Sequence, residues 1–198
     1  MGLDMFVFRV TKLSEEEQKE VEKMTYEELC KSRFTTIECT DNEDEYYIKQ
    51  IKPYLFFVKK PVGRIHFDLL KKVCGIPEDA SWCWSAAGTF GFRRENYDKS
   101  YEVNYHELTP EQKKQVTPTD TIAYAVYKRE ELLYWRKAYD LCDKIHEACN
   151  VEVENCGNYP LNDKMRDVIK AALKEEGCED IPDLTSTEDS VACYHEWY

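Results

Sequence analysis

Residues 1–10, MGLDMFVFRV, decide the fold of this 198-residue chain. Leu3, Met5 and Val7 fall on one parity, with Arg9, and Phe6, Phe8 and Val10 on the other, so both faces are apolar. That pattern predicts a strand buried in the middle of a sheet, because a half-exposed strand would alternate apolar and polar residues. Outward from it, Ser14-Glu-Glu-Glu17 and Thr25-Tyr-Glu-Glu28 each match a capping box, which predicts two short helices between about residues 15 and 33. Phe34 to Cys39 and Tyr46 to Ile51 alternate well enough for strands joined by the polar turn DNEDE, and Tyr54 to Val58 is a further strand candidate.

Beyond residue 60 the signals alternate between helix and strand. Ile65, Leu69, Leu70 and Val73 recur at helical spacing and Gly75 supplies an end, so a helix is predicted over 64–73. In SWCWSAAGTFGFRR, Trp82, Trp84, Phe90 and Phe92 share a parity, and a strand pair turning around Ala86 to Gly88 would put four rings on one face. Thr109-Pro-Glu-Gln112 starts a helix of a turn or two, and Thr121 to Tyr127 alternates as a half-buried strand. The longest helix is predicted from Lys128 to Cys149, with Leu132, Trp135, Tyr139, Cys142 and Cys149 on one stripe. Asn162 caps a last helix whose buried face is Met165, Val168, Ile169 and Leu173 and which Gly177 terminates. The sum is an α+β domain over residues 1–178, a mostly antiparallel sheet packed against two or more helices, followed by an acidic C-terminal tail over 179–198.

Composition bounds the class. Hydrophobic residues make up 42% and aromatics 13%, too rich in core-formers for a disordered chain despite 33% charge. Nine cysteines, an odd number in a chain that is not small, fit free thiols in a reducing cytosol better than a disulfide scaffold. No run of 18 apolar residues exists, so no membrane-spanning helix is expected. The net charge of -12 is unevenly spread: residues 151–198 hold 12 acids against 4 bases, and residues 51–75 hold 1 against 6. Such a chain presents a lopsided field if the two segments stay apart.

No catalytic signature is present, which weighs against an enzyme; there is no G-x-S-x-G, Walker loop or dinucleotide fingerprint. Asp41-Asn-Glu-Asp-Glu45 has the spacing of a calcium loop, but Tyr46 stands where the sharp turn needs Gly, so a solvated turn is expected. Cys142, His146, Cys149 and Cys156 cluster along the chain, yet helical packing accounts for Cys142 and Cys149, and no metal or cofactor is assigned. The aromatic face at Trp82 and Trp84 reads first as core; the sharper alternative is a base-stacking platform flanked by Arg93 and Arg94, which the surrounding acidity opposes. Arg136 and Lys137 would pair on the helix surface with Glu130, Glu131 or Asp140, and the alternative is an anion pocket formed by Arg136 beside Cys156-Gly157.

MGLDMFVFRV, the run Glu131-Leu-Leu-Tyr-Trp-Arg-Lys-Ala138 and Asn155-Cys-Gly-Asn-Tyr159 together resemble a group of small proteins encoded by bacteriophages and prophages of gut and Gram-positive bacteria. The resemblance covers about 60 residues in three islands, and the ending TSTEDSVACYHEWY departs from the group's Gly- and Phe-rich strand. It implies a viral accessory role in the host cytoplasm, with anti-defence activity foremost. Combined with the charge, this predicts an inhibitor that binds a bacterial defence protein or ribonucleoprotein such as a CRISPR effector nuclease, whose nucleic-acid channel is basic. The contacts would be Asp41, Glu43, Asp44, Glu45, Glu175, Glu176, Glu179, Asp180, Asp183, Glu188 and Asp189. The alternatives are a nucleotide-binding or nucleotide-degrading anti-defence protein using Lys71, Lys72, Arg93, Arg94 and Arg136 as anion-binding groups, and a phage accessory protein without inhibitory role.

Overall fold

A computed structural model describes residues 2–39, 48–94 and 100–198. The fold is α+β with antiparallel sheets packed against helices, as the alternation of signals predicts. The chain divides into two compact units, one of residues 1–60 with 122–198 and the other of residues 61–121.

In the first unit, β1 (Asp4–Thr11) occupies the centre of a sheet of order β2-β7-β1-β9-β8. Its neighbours are β7 (Thr119–Arg136) and β9 (Ser190–Trp197), both antiparallel, and β7 also pairs with β2 (Thr35–Cys39) and β3 (Phe56–Gly63). The strand β8 (Asn158–Pro160) lies beyond β9. Both faces of β1 are covered, for the reason its two apolar parities require. Met5 and Val7 join a core with Ala192 and Tyr194 of β9 and with the helices α5 (Tyr139–Ala148) and α6 (Asp163–Glu175). Phe8 and Val10 join a second core with Val191 and Cys193, closed by Ile48 and Ile51 of a short 3₁₀ segment.

The helices begin where the caps place them. Ser14 and Glu17 form a complete capping box at α1 (Glu15–Lys23), and Thr25 and Glu28 another at α2 (Tyr26–Cys30). The far end of α1 is closed by buried Lys60, whose Nζ donates to the carbonyls of Val21, Glu22 and Met24 at 2.7, 2.9 and 2.6 Å. One cation thus satisfies carbonyls that a helix end leaves orphaned and opposes the negative end of its dipole.

In the second unit, α3 (Phe67–Cys74) ends at Gly75, whose φ of 66° is the left-handed conformation a glycine adopts without strain. The strands β4 (Ala80–Ala86), β5 (Thr89–Arg94) and β6 (Ser100–Asn104) form an antiparallel sheet, and α4 (Pro110–Val116) starts at the Thr109–Gln112 capping box. The β4–β5 turn sits at Ala87 and Gly88, both with positive φ, as a two-residue hairpin demands.

Four expectations are corrected. Residues 128–136 are not helical: they continue β7 along β1, from Thr11 opposite Lys128 to Asp4 opposite Arg136. Their Glu, Leu, Lys and Arg content favours helix only weakly, and pairing with a strand that needs a neighbour outweighs it. The extra residue Leu132 is absorbed in a bulge between Val7 and Phe8, and the helix starts only after Lys137, whose φ is 58°. Arg136 accordingly lies 3.7 Å from Asp4 rather than pairing along a helix. Of the strand expected from 46 to 51, residues 46 and 47 lie outside the described residues, and 49–51 belong instead to the 3₁₀ segment 49–54. The acidic tail expected over 179–198 stops short: 190–197 are β9, in which Val191, Cys193 and His195 alternate with Ala192, Tyr194 and Glu196. Finally, the register shifts between Trp82, opposite Phe92, and Trp84, opposite Gly91, so Trp84 lies on the other face of β4–β5. Its ring covers Gly91, where a Cβ would collide with the indole.

Candidate functional site

Where α5 crosses β9, four polar side chains converge inside the first unit. Cys142 and His146, four residues apart on α5, stand on one helix face. Tyr194 and Glu196, two apart on β9, stand on one face of the sheet. Glu196 is fully buried, lying opposite Met5 in the β1–β9 register. Its Oε2 accepts from the Tyr194 hydroxyl at 2.7 Å, lies 2.7 Å from His146 Nε2 and 3.3 Å from Cys142 Sγ. Cys142 Sγ and His146 Nε2 are 3.4 Å apart. The partner oxygen, Glu196 Oε1, is buried with no hydrogen-bond partner among the described residues.

The electrostatics of this cluster follow from burial. Desolvation pushes the Cys142 thiol up to about 11, and the Glu196 carboxyl acts in the same direction. Burial, then the hydrogen bond to Glu196, drives the Tyr194 hydroxyl far above its usual range. Cys142 is therefore a neutral thiol near pH 7, unlike the depressed thiolates of nucleophilic cysteines. Tyr194, His146 and Cys142 all crowd Oε2, while an unsatisfied buried acceptor such as Oε1 costs about 1–3 kcal/mol. A cleft of about 460 Å³ opens beside the cluster, lined by Leu3, Tyr139, Cys142, His146 and Tyr198.

No protein family, curated protein or solved structure matches this chain. The site must be read from its own chemistry. It joins a thiol, an imidazole and a carboxyl whose ligand atoms lie within 4.8 Å of one another.

The residues singled out by sequence lie elsewhere. Glu175, Glu176, Glu179, Asp180, Asp183, Glu188 and Asp189 are all exposed at the end of α6 and in the segment leading to β9. That segment is fastened to the sheet. Arg9 donates to the carbonyls of Asp183 and Thr185 at 2.6 and 3.3 Å, and Leu184 is buried in the α5–α6 core. Asp183 is held below its usual range chiefly by the Thr185 amide. Glu176 accepts from the Trp135 indole at 3.2 Å, and Asp189 lies 4.0 Å from Lys12. Glu175, Glu179, Asp180 and Glu188 form no ion pair with another described residue. Asp41, Glu43, Asp44 and Glu45 fall outside the described residues.

The anion-binding candidates are divided between the units. Lys71 is 3.1 Å from Asp68 and donates to the carbonyls of Glu78 and Ala80, and Arg94 pairs with Asp79 at 2.5 Å. Lys72 and Arg93 are exposed. Arg136 belongs to the other unit, and the amides expected to complete its pocket are spent: Cys156 N donates to Glu196 O and Gly157 N to Glu154 O. The Trp82 ring stacks on Phe67, centroids 5.8 Å apart and planes 7° off parallel, with Trp82 about half exposed.

Sequence reading missed Glu196 and Tyr194. The available signal was Cys142-x-x-x-His146 on a helix, half of a ligand set. Its other half lies fifty residues on, in a stretch taken for tail, and only the β1–β9 pairing brings it back.

Proposed function

We propose that this chain is an acidic binding protein that inhibits a nucleic-acid-handling bacterial defence complex, a CRISPR effector nuclease being the type of target, and that it is phage-encoded. The observation that supports this reading is the presentation of the acids over 175–189. They project from a segment anchored by Arg9 and Leu184, so the carboxylates are held in a defined arrangement before any partner arrives. Pre-ordering spares part of the conformational entropy that a flexible acidic tail loses on binding. Clustered carboxylates complement a basic channel built for phosphates and speed the encounter with it. The phage origin rests on the islands MGLDM, YWRKA and CGNY.

A nucleotide-binding role has less support, because Lys71, Arg94 and Arg136 each already face a carboxylate.

The test uses the four acids that form no ion pair with another described residue. The chain should capture a nucleic-acid-handling complex from host lysate, with affinity falling steeply between low and high salt. The variant Glu175→Gln, Glu179→Gln, Asp180→Asn, Glu188→Gln should lose that capture while melting at the parent temperature. Affinity indifferent to both salt and these substitutions would sink the reading.

A further inference from the structure

We infer that Cys142, His146 and Glu196 form a zinc site with three protein ligands and a fourth position open to the adjoining cleft. The donor set selects the ion. A thiol and an imidazole exclude magnesium and calcium, which take oxygen ligands, and the mixture of sulfur, nitrogen and one carboxyl oxygen suits Zn²⁺.

The spacing is close to what a tetrahedral ion needs. Zinc bonds of about 2.3 Å to sulfur and about 2.0 Å to nitrogen and oxygen put S···N and S···O about 3.5 Å apart and N···O about 3.3 Å apart. The observed separations are 3.4 Å, 3.3 Å and 2.7 Å. The S···N separation already fits, and the other two are measured to Glu196 Oε2. The 2.7 Å N···O approach is too short for two ligands of one ion, so the Glu196 carboxyl must turn, and the chain supplies the means: Oε1 has no hydrogen-bond partner among the described residues, so it can take the metal while Oε2 keeps the Tyr194 hydroxyl at 2.7 Å. Tyr194 then becomes the outer group that fixes a ligand's orientation.

Loading is a balanced exchange. Zn²⁺ forms a bond to Cys142 Sγ as the S–H bond breaks, and the proton leaves to solvent. His146 binds as neutral imidazole through Nε2, with its proton on Nδ1. The fourth position faces the 460 Å³ cleft between Leu3, Tyr139 and Tyr198, where water or one donor atom of a ligand can enter. Three protein ligands with one open position is the arrangement of zinc sites that bind or activate a further molecule, in contrast to closed structural sites.

The experiment uses the full reduced chain with the exposed thiols removed, Cys30→Ser, Cys83→Ser and Cys178→Ser, so that surface cysteines cannot collect metal. Titration with Co²⁺ should give one equivalent bound with a thiolate-to-cobalt absorption band, and Zn²⁺ should displace it. Cys142→Ala and His146→Ala should each abolish the band, and Tyr194→Phe should weaken binding about tenfold or more. Zn²⁺ should raise the melting temperature of the parent and leave that of Cys142→Ala unchanged. Absence of stoichiometric Co²⁺ binding by the folded parent overturns the inference, as does a band that survives Cys142→Ala.

Discussion

Two sets of carboxyl groups lie within 22 residues of one another and could hardly differ more. Between Glu175 and Asp189 seven acids are exposed on the end of a helix and an irregular segment, whereas Glu196 is wholly buried on a strand beside the central one. The first set adds seven exposed carboxylates to the acid surplus of the chain. The second is held by three other side chains at the crossing of α5 and β9. The same residue type carries long-range charge in one place and local chemistry in the other, and burial decides which.

The sharpest way to break this contrast is to remove each region separately. Deleting 190–198 takes away β9 with Val191, Ala192, Cys193 and Tyr194, all buried, and exposes one edge of β1. We expect loss of cooperative unfolding and of native circular dichroism, since the deletion opens two hydrophobic cores of the first unit. Neutralising Glu175, Glu179, Asp180 and Glu188 should instead move stability by no more than about 0.5 kcal/mol, as exposed charges do. A truncated chain that still melts cooperatively would show that β9 is the tail its acidity suggests.

A smaller effect is expected inside the buried set. Glu196→Leu removes the nearer acceptor of the buried Tyr194 hydroxyl and leaves it only the longer 3.6 Å contact to Cys142 Sγ, which should cost about 2 kcal/mol. For a chain of this length that lowers the melting temperature by roughly 4–8 °C. Adding Tyr194→Phe should recover part of the loss, because the poorly satisfied hydroxyl goes with it. Full additivity of the two changes would show that the pair does not act together.

How far the chain could be read beforehand follows the same division between local and distant causes. The capping boxes at Ser14, Thr25 and Thr109, the left-handed end at Gly75 and the Asn162 cap depend on three or four consecutive residues, and all form as the spacing predicts. The central strand was legible because its two apolar parities state its environment outright. Residues 128–136 were not, because their local preference points to helix and the deciding partner lies at residues 4–11. The bulge that sends Trp84 to the opposite face leaves no mark in a parity count. The candidate site failed for distance as well. His146 and Glu196 are fifty residues apart, and averaging charge over 179–198 hid a strand behind its acidic approach.

The smallest effect tests a carboxylate of intermediate standing, one that is neither buried like Glu196 nor free like Glu175. Glu17 accepts from the Ser14 amide at 2.8 Å and faces Lys128 at 2.9 Å, and the amide, more than the lysine, holds its pKa below the ordinary 4.5. An acid whose folded pKa is depressed stabilises the fold fully above its unfolded pKa, and that contribution is lost as pH falls through the folded value. Melting temperatures should therefore drop on acidification below about pH 4.5, and Glu17→Gln should flatten part of that drop. At neutral pH the substitution should cost about 0.5 kcal/mol, since Gln preserves the reciprocal hydrogen bond but gives up the charge at the helix start. Gln112 holds the same position at α4 with its Oε1 2.9 Å from the Thr109 amide, so the chain already contains the uncharged version of this cap. If Glu17→Gln left the acid limb of the stability profile unchanged, the capping carboxylate would have to be grouped with the exposed acids of 175–189 rather than set between them and Glu196.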